Sequence, residues 1–79
     1  MKSDFIGAYN PPSMDIVLNG ERRTLDAGST AADLLKDLEL EGKPVAIERN
    51  GETVRKSDLP TTRLADGDRI EVVTFVGGG

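Results

Sequence analysis

Seventy-nine residues with a net charge of −4, no cysteine and no histidine allow one small domain. Thiolate metal sites and disulfides are excluded, and the commonest general base and metal ligand is missing, which turns the reading away from catalysis. The acidic balance disfavours nucleic acid and anionic membrane and favours a basic partner face. With no apolar run long enough to span a bilayer and no signal peptide, a cytoplasmic protein is expected.

Residues 1–13 lack periodicity and include Pro11-Pro12, while Met14 reads as a second start. They are expected to form a flexible extension, in which Phe5, Ile6 and Tyr9 are able to pack on something. Asp15-Ile16-Val17-Leu18 follows as a strand. Asn19-Gly20 is a strong hairpin signal, because a type I′ turn needs positive φ at both central residues. Glu21-Arg22-Arg23-Thr24-Leu25 returns as the second strand, with Ile16, Leu18 and Leu25 facing the core. Thr30 caps a helix, with Asp33 as its acidic partner in the first turn. Ala31, Leu34, Leu35 and Leu38 form one apolar stripe, and Gly42 and Pro44 end the helical region.

Val45-Ala46-Ile47-Glu48-Arg49 is a third strand, Asn50-Gly51 a second hairpin signal, and Glu52-Thr53-Val54 the return strand. Ser57 to Arg63 is a connecting loop with room for one helical turn, and Asp66-Gly67-Asp68 is a turn. Arg69 to Phe75 is the last strand, with Ile70, Val72 and Thr74 on one face and Val73 and Phe75 on the other. A single helix with a single stripe must cover one face of the sheet. The Val- and Ile-rich last strand fits a central position, parallel to the first strand and reached by a long crossover. The expected fold is therefore α+β: a β-grasp, or ubiquitin-like, mixed sheet of four to five strands with one helix on one face, occupying residues 14–76.

The sequence closes on Val76-Gly77-Gly78-Gly79. Glycine has no Cβ, so Gly77 and Gly78 suit a flexible arm that threads a channel too narrow for other residues. A terminal Gly79 carries a free α-carboxylate, and four residues from Val76 reach roughly 13 Å when extended. The competing reading is an inert, frayed end. If the helix covers the Ile70 and Val72 face, Val73 and Phe75 look outward as partner-docking residues, with Val17 on the neighbouring strand extending the patch. Asp66, Asp68 and Glu71, and the acids of the helix region, are read as water-facing rims that steer a basic partner rather than as a metal or acid–base site. Arg22-Arg23 and Arg55-Lys56 are read as surface pairs without the aromatics of a nucleic-acid site. The glycines form no phosphate loop, because no helix and no Lys-Ser/Thr follow them.

Leu18-Asn19-Gly20-Glu21, Thr30-Ala31-Ala32-Asp33-Leu34-Leu35, Ala46-Ile47-Glu48-Arg49-Asn50-Gly51-Glu52 and the run from Asp66 to Gly79 together resemble the ThiS family of thiamine-biosynthesis sulfur carriers. The resemblance covers the chain from Met14 onward; residues 1–13 depart from the family pattern. It implies a cosubstrate, not an enzyme. A ThiF-type adenylating enzyme, using ATP and magnesium, activates the Gly79 carboxylate. Sulfur originating from a cysteine desulfurase then yields a thiocarboxylate, which thiazole synthase (ThiG type) consumes. No cofactor bound by the chain itself is implied. The rival readings are the small subunit of molybdopterin synthase, a ubiquitin-like protein modifier joined through Gly79, and a plain interaction domain with an inert tail.

Overall fold

The computed structural model describes residues 12–75. Five strands and one α-helix make up the body: β1 (Ser13–Leu18), β2 (Glu21–Asp26), α1 (Ala31–Asp37), β3 (Val45–Arg49), β4 (Glu52–Thr53) and β5 (Arg69–Thr74), with a 3₁₀ segment at Lys56–Thr61. Their order across the sheet is β2-β1-β5-β3-β4. β1 and β5 are parallel, while β1–β2, β3–β4 and β3–β5 are antiparallel. This is the β-grasp arrangement expected from the sequence, with the last strand at the centre. None of the described helices is long and apolar enough to cross a membrane.

Local chemistry accounts for the turns. Asn19 and Gly20 have φ of 49° and 85°, and Asn50 and Gly51 have 52° and 86°, the paired left-handed geometry that a tight hairpin requires. Thr30 caps α1 through a full capping box: its hydroxyl accepts from Asp33 N–H at 3.1 Å, and the Asp33 carboxylate accepts from Thr30 N–H at 2.9 Å. The helix ends earlier than Gly42 and Pro44 imply. Leu38 is its C-cap, and Glu39 takes the left-handed conformation at φ 61°. Leu40 N–H then donates to Leu35 C=O at 2.8 Å and Glu39 N–H to Lys36 C=O at 3.0 Å. These two bonds form a Schellman ending and satisfy carbonyls that the helix leaves open.

The core lies between α1 and one sheet face. It comprises Met14, Ile16, Leu25, Ala31, Leu34, Leu35, Ile47, Leu64, Ile70 and Val72, with Leu18 and Leu38 partly buried against it. Met14 is therefore a core residue, paired across the hairpin with Leu25. The body also begins before Met14. Ser13 is paired with Asp26, and the Pro12 carbonyl accepts from Ala27 N–H at 2.9 Å. Proline has no N–H to donate but keeps its carbonyl, so it is tolerated just ahead of a strand. The part of the expected extension that holds Phe5, Ile6 and Tyr9 lies outside the described residues.

Candidate functional site

Alternation along β5 separates its two faces. Ile70 and Val72 are buried under α1, whereas Val73 and Phe75 are 55% and 56% exposed. The outward assignment of this pair therefore holds. β5 also runs past the end of β1. Parallel pairing stops at Leu18 opposite Ile70, while β3 accompanies β5 further, with Ala46 opposite Val73 and Val45 opposite Thr74. Phe75 N–H donates to Pro44 C=O at 3.0 Å, which prolongs this contact. Half-buried Ala46 thus adjoins Val73 on the outer face, a neighbour that only the strand register reveals.

Val17 also points to the outer face, but it stands opposite Arg69. Four residues of β5 separate that position from Val73, about 13 Å at the usual strand rise. Val17 and Val73 share a face without touching. Beside the apolar pair, Glu48 stands directly opposite Glu71 across the β3–β5 ladder. Two like charges in this position repel one another and give the patch a negative border. Gly77, Gly78 and Gly79 lie outside the described residues.

The opposite end of β5 is fixed by a polar network. Asp68 was expected to face water, but it is only 7% exposed. Its carboxylate accepts from Arg49 Nε at 2.8 Å, from Asn50 Nδ2 at 3.0 Å and from Ala65 N–H at 2.8 Å. Burial pushes its pKa up, but the donors at Ala65, Asn50 and Arg49 together outweigh burial and hold it below the ordinary carboxylate value. Asn50 Oδ1 also accepts from Arg69 N–H at 2.9 Å, tying the second hairpin to the first residue of β5. Asp66 takes a different partner, accepting from Asp15 N–H at 2.7 Å. Asp66, Asp68 and Glu71 are therefore dispersed and do not converge on one point.

Asp15 is held on the outer face by Thr24 Oγ1 and Arg22 Nη2, both at 2.6 Å. The Thr24 hydrogen bond, then that of Arg22, lowers its pKa. Period-2 alternation splits the expected Arg22-Arg23 pair. Arg22 lies on the outer face beside Asp15, while Arg23 lies opposite Ile16 on the helix side and reaches Asp37 at 3.7 Å. Sequence reasoning also missed a second role for Asn19, whose side chain binds the Val72 backbone at both its N–H and its C=O. Its turn role hid this, because Val72 lies 53 residues away.

Comparison with known proteins gives a consistent result. The sequence model described as the ThiS family matches residues 16–79. A sulfur carrier protein ThiS from Bacillus subtilis is 48% identical over 50 residues, covering 63% of this chain and 76% of that protein. A thiazole synthase from Paramagnetospirillum magneticum is 44% identical over 66 residues, which are 84% of this chain but only 20% of the synthase. The chain thus spans about a fifth of the length of that relative, and the same holds for a second thiazole synthase, from Magnetococcus marinus. Among solved structures, a thiamine biosynthesis protein (ThiS) from Geobacter metallireducens superposes with a TM-score of 0.71 at 32% identity. That match covers 84% of this chain and all of the other.

Proposed function

Because the chain belongs to the ThiS family, we propose that it is a sulfur carrier of thiamine biosynthesis that bears its cargo as a thiocarboxylate on Gly79. The observation that carries this reading is that the family match runs through the final glycines, Gly77 to Gly79. A strand exposing Val73 and Phe75 leads toward them.

The chemistry follows from the weakness of a carboxylate as an electrophile. A ThiF-type enzyme would join the Gly79 carboxylate to the α-phosphate of ATP, releasing pyrophosphate. The terminal sulfur of a persulfide, loaded by a cysteine desulfurase, then attacks the acyl carbon, and AMP leaves with the bonding pair. A neighbouring thiol cleaves the resulting acyl persulfide, leaving the thiocarboxylate and a disulfide. Magnesium and ATP belong to the activating enzyme. The carrier contributes a side-chain-free arm and a docking face in which Val73 and Phe75 are central and Val17 is a peripheral contact.

A thiazole synthase is the proposed sulfur acceptor. Two thiazole synthases contain a segment similar to this chain, which supports a carrier and a synthase acting together. The names of the matching relatives favour the thiamine pathway over molybdopterin synthesis. Incubation with the cognate ThiF-type enzyme, MgATP and a persulfide donor should add the mass difference of sulfur for oxygen to the intact chain. Fragmentation should localise the gain to the C-terminal peptide. An unchanged mass, where an authentic carrier is converted in parallel, would refute the proposal.

A further inference from the structure

The β1–β5 ladder continues past the point where the main chain leaves it. Val17 N–H donates to Asp68 C=O and Asn19 N–H to Ile70 C=O, both at 2.9 Å. In a parallel ladder the next two bonds would run from Val72 N–H to the Asn19 carbonyl and from the N–H two residues on to Val72 C=O. The chain cannot supply them, because Asn19 and Gly20 turn away into the hairpin with φ of 49° and 85°. The Asn19 carboxamide supplies them instead: Oδ1 accepts from Val72 N–H at 2.9 Å, and Nδ2 donates to Val72 C=O at 3.2 Å. A side-chain amide has the same donor and acceptor set as a peptide group. Asn19 therefore acts as one more peptide unit of β1, placed one residue before the exposed Val73.

We propose that Asn19 is a positioning residue for tail delivery: its clamp on Val72 fixes the line on which Val73 to Phe75 leave the sheet and so aims the glycine arm into the partner's active site. The inference rests on the carrier reading. Its physical basis is the asymmetry of the exit. Beyond Val72, β5 pairs with β3 on one side, through Val45 opposite Thr74 and Phe75 N–H on Pro44 C=O. Among the described residues, the Asn19 carboxamide makes the bond placed furthest along β5 on the side of β1. Without it, the end of β5 would pivot on its pairing with β3. A short arm leaves little length over which a misdirected root can be corrected, and misplacement of a reacting group by about 1 Å can lower a rate on the order of a hundredfold.

Asn19→Gly tests this, since glycine accepts the positive φ of the turn and removes the carboxamide; its greater backbone freedom is a cost that a second glycine variant must match. In the free chain, the Val72 amide should exchange with solvent at least tenfold faster, while amides of β1–β2 pairs such as Arg23 keep their rates. With the cognate ThiF-type enzyme and MgATP, single-turnover pyrophosphate release should fall roughly tenfold or more. Affinity measured without ATP should change less than about twofold, because the docking face is intact. Lys36→Gly, which weakens α1 at an exposed position away from the outer face of the sheet, controls for general stability and should react at the wild-type rate.

Equal rates for wild type and Asn19→Gly would overturn the clamp, as would a matching slowdown in Lys36→Gly or a loss of affinity large enough to account for the fall. A wild-type chain that releases no pyrophosphate would refute the carrier reading, and the inference with it.

Discussion

Asp68 combines burial with charge. Three donors converge on its carboxylate, and its pKa lies below the ordinary value. Arg49 itself remains partly exposed, at 34%, so solvent screens the ion pair. The fixed donors at Ala65 and Asn50 matter as much as the opposite charge. In Asp68→Asn the side chain must turn an NH₂ group toward at least one of these donors, leaving it without an acceptor. That typically costs about 1–3 kcal/mol, and denaturant melts at neutral pH should show it. The sign of the pH dependence follows from the depressed pKa. Asp68 contributes its full stabilisation above its unfolded value of about 3.9. The contribution is lost as pH falls from there through the folded value. The stability gap between wild type and Asp68→Asn should therefore narrow steadily below about pH 4. A gap that stays constant down to pH 2 would show that shape rather than ionisation sets the role of Asp68.

At the scale of elements, the end of α1 carries strain that its neighbours lack. Glu39 occupies the left-handed position of a Schellman ending at φ 61°, where a Cβ is disfavoured by roughly 1–2 kcal/mol. Asn19 and Asn50 adopt similar angles, but asparagine tolerates them. Glu39→Gly should stabilise the fold by about 0.5–1 kcal/mol after the greater unfolded-state entropy of glycine is subtracted. For a domain of this size that raises the melting temperature by roughly 2–8 °C. A lowered melting temperature would mean that the Glu39 side chain makes a compensating contact.

The same element shows what a sequence can and cannot disclose. The start of α1 was legible because Thr30 and Asp33 are three residues apart and their chemistry is local. Its end was not, because glutamate gives no sign of a left-handed conformation, and the next glycine and proline signalled a false stop. Both hairpins were legible from Asn-Gly pairs, and the sheet order from the apolar pattern of β5. Met14 escaped because β1 begins one residue before it, at Ser13, whereas the Arg49 and Asn50 partners of Asp68 and the Val72 partner of Asn19 come from distant segments. At the candidate site, period-2 alternation revealed the outward pair Val73 and Phe75. The offset of Val17 depended on where β1 stops.

On the scale of the whole molecule, the sheet gives β5 two unlike ends. Its start is anchored by Asp68, Asn50 and the 65–68 turn, in which Gly67 N–H donates to Asp15 C=O at 2.7 Å. Its other end emerges past β1 with Val73 and Phe75 exposed. Exposed large apolar side chains carry little of the folding energy but are well placed to carry binding energy. Truncating a buried Phe typically costs about 3–5 kcal/mol. With 56% of its surface already exposed, Phe75→Ala should cost at most about 1 kcal/mol in a denaturant melt. The same variant should lose at least about tenfold in affinity for the adenylating enzyme or the thiazole synthase, equivalent to about 1.4 kcal/mol. The contrast with Asn19→Gly is diagnostic: loss of the aromatic anchor should appear in binding, whereas loss of the clamp should appear in the rate once bound. A Phe75→Ala variant that melts far earlier but binds unchanged would assign the ring to the body's stability and remove it from the docking face.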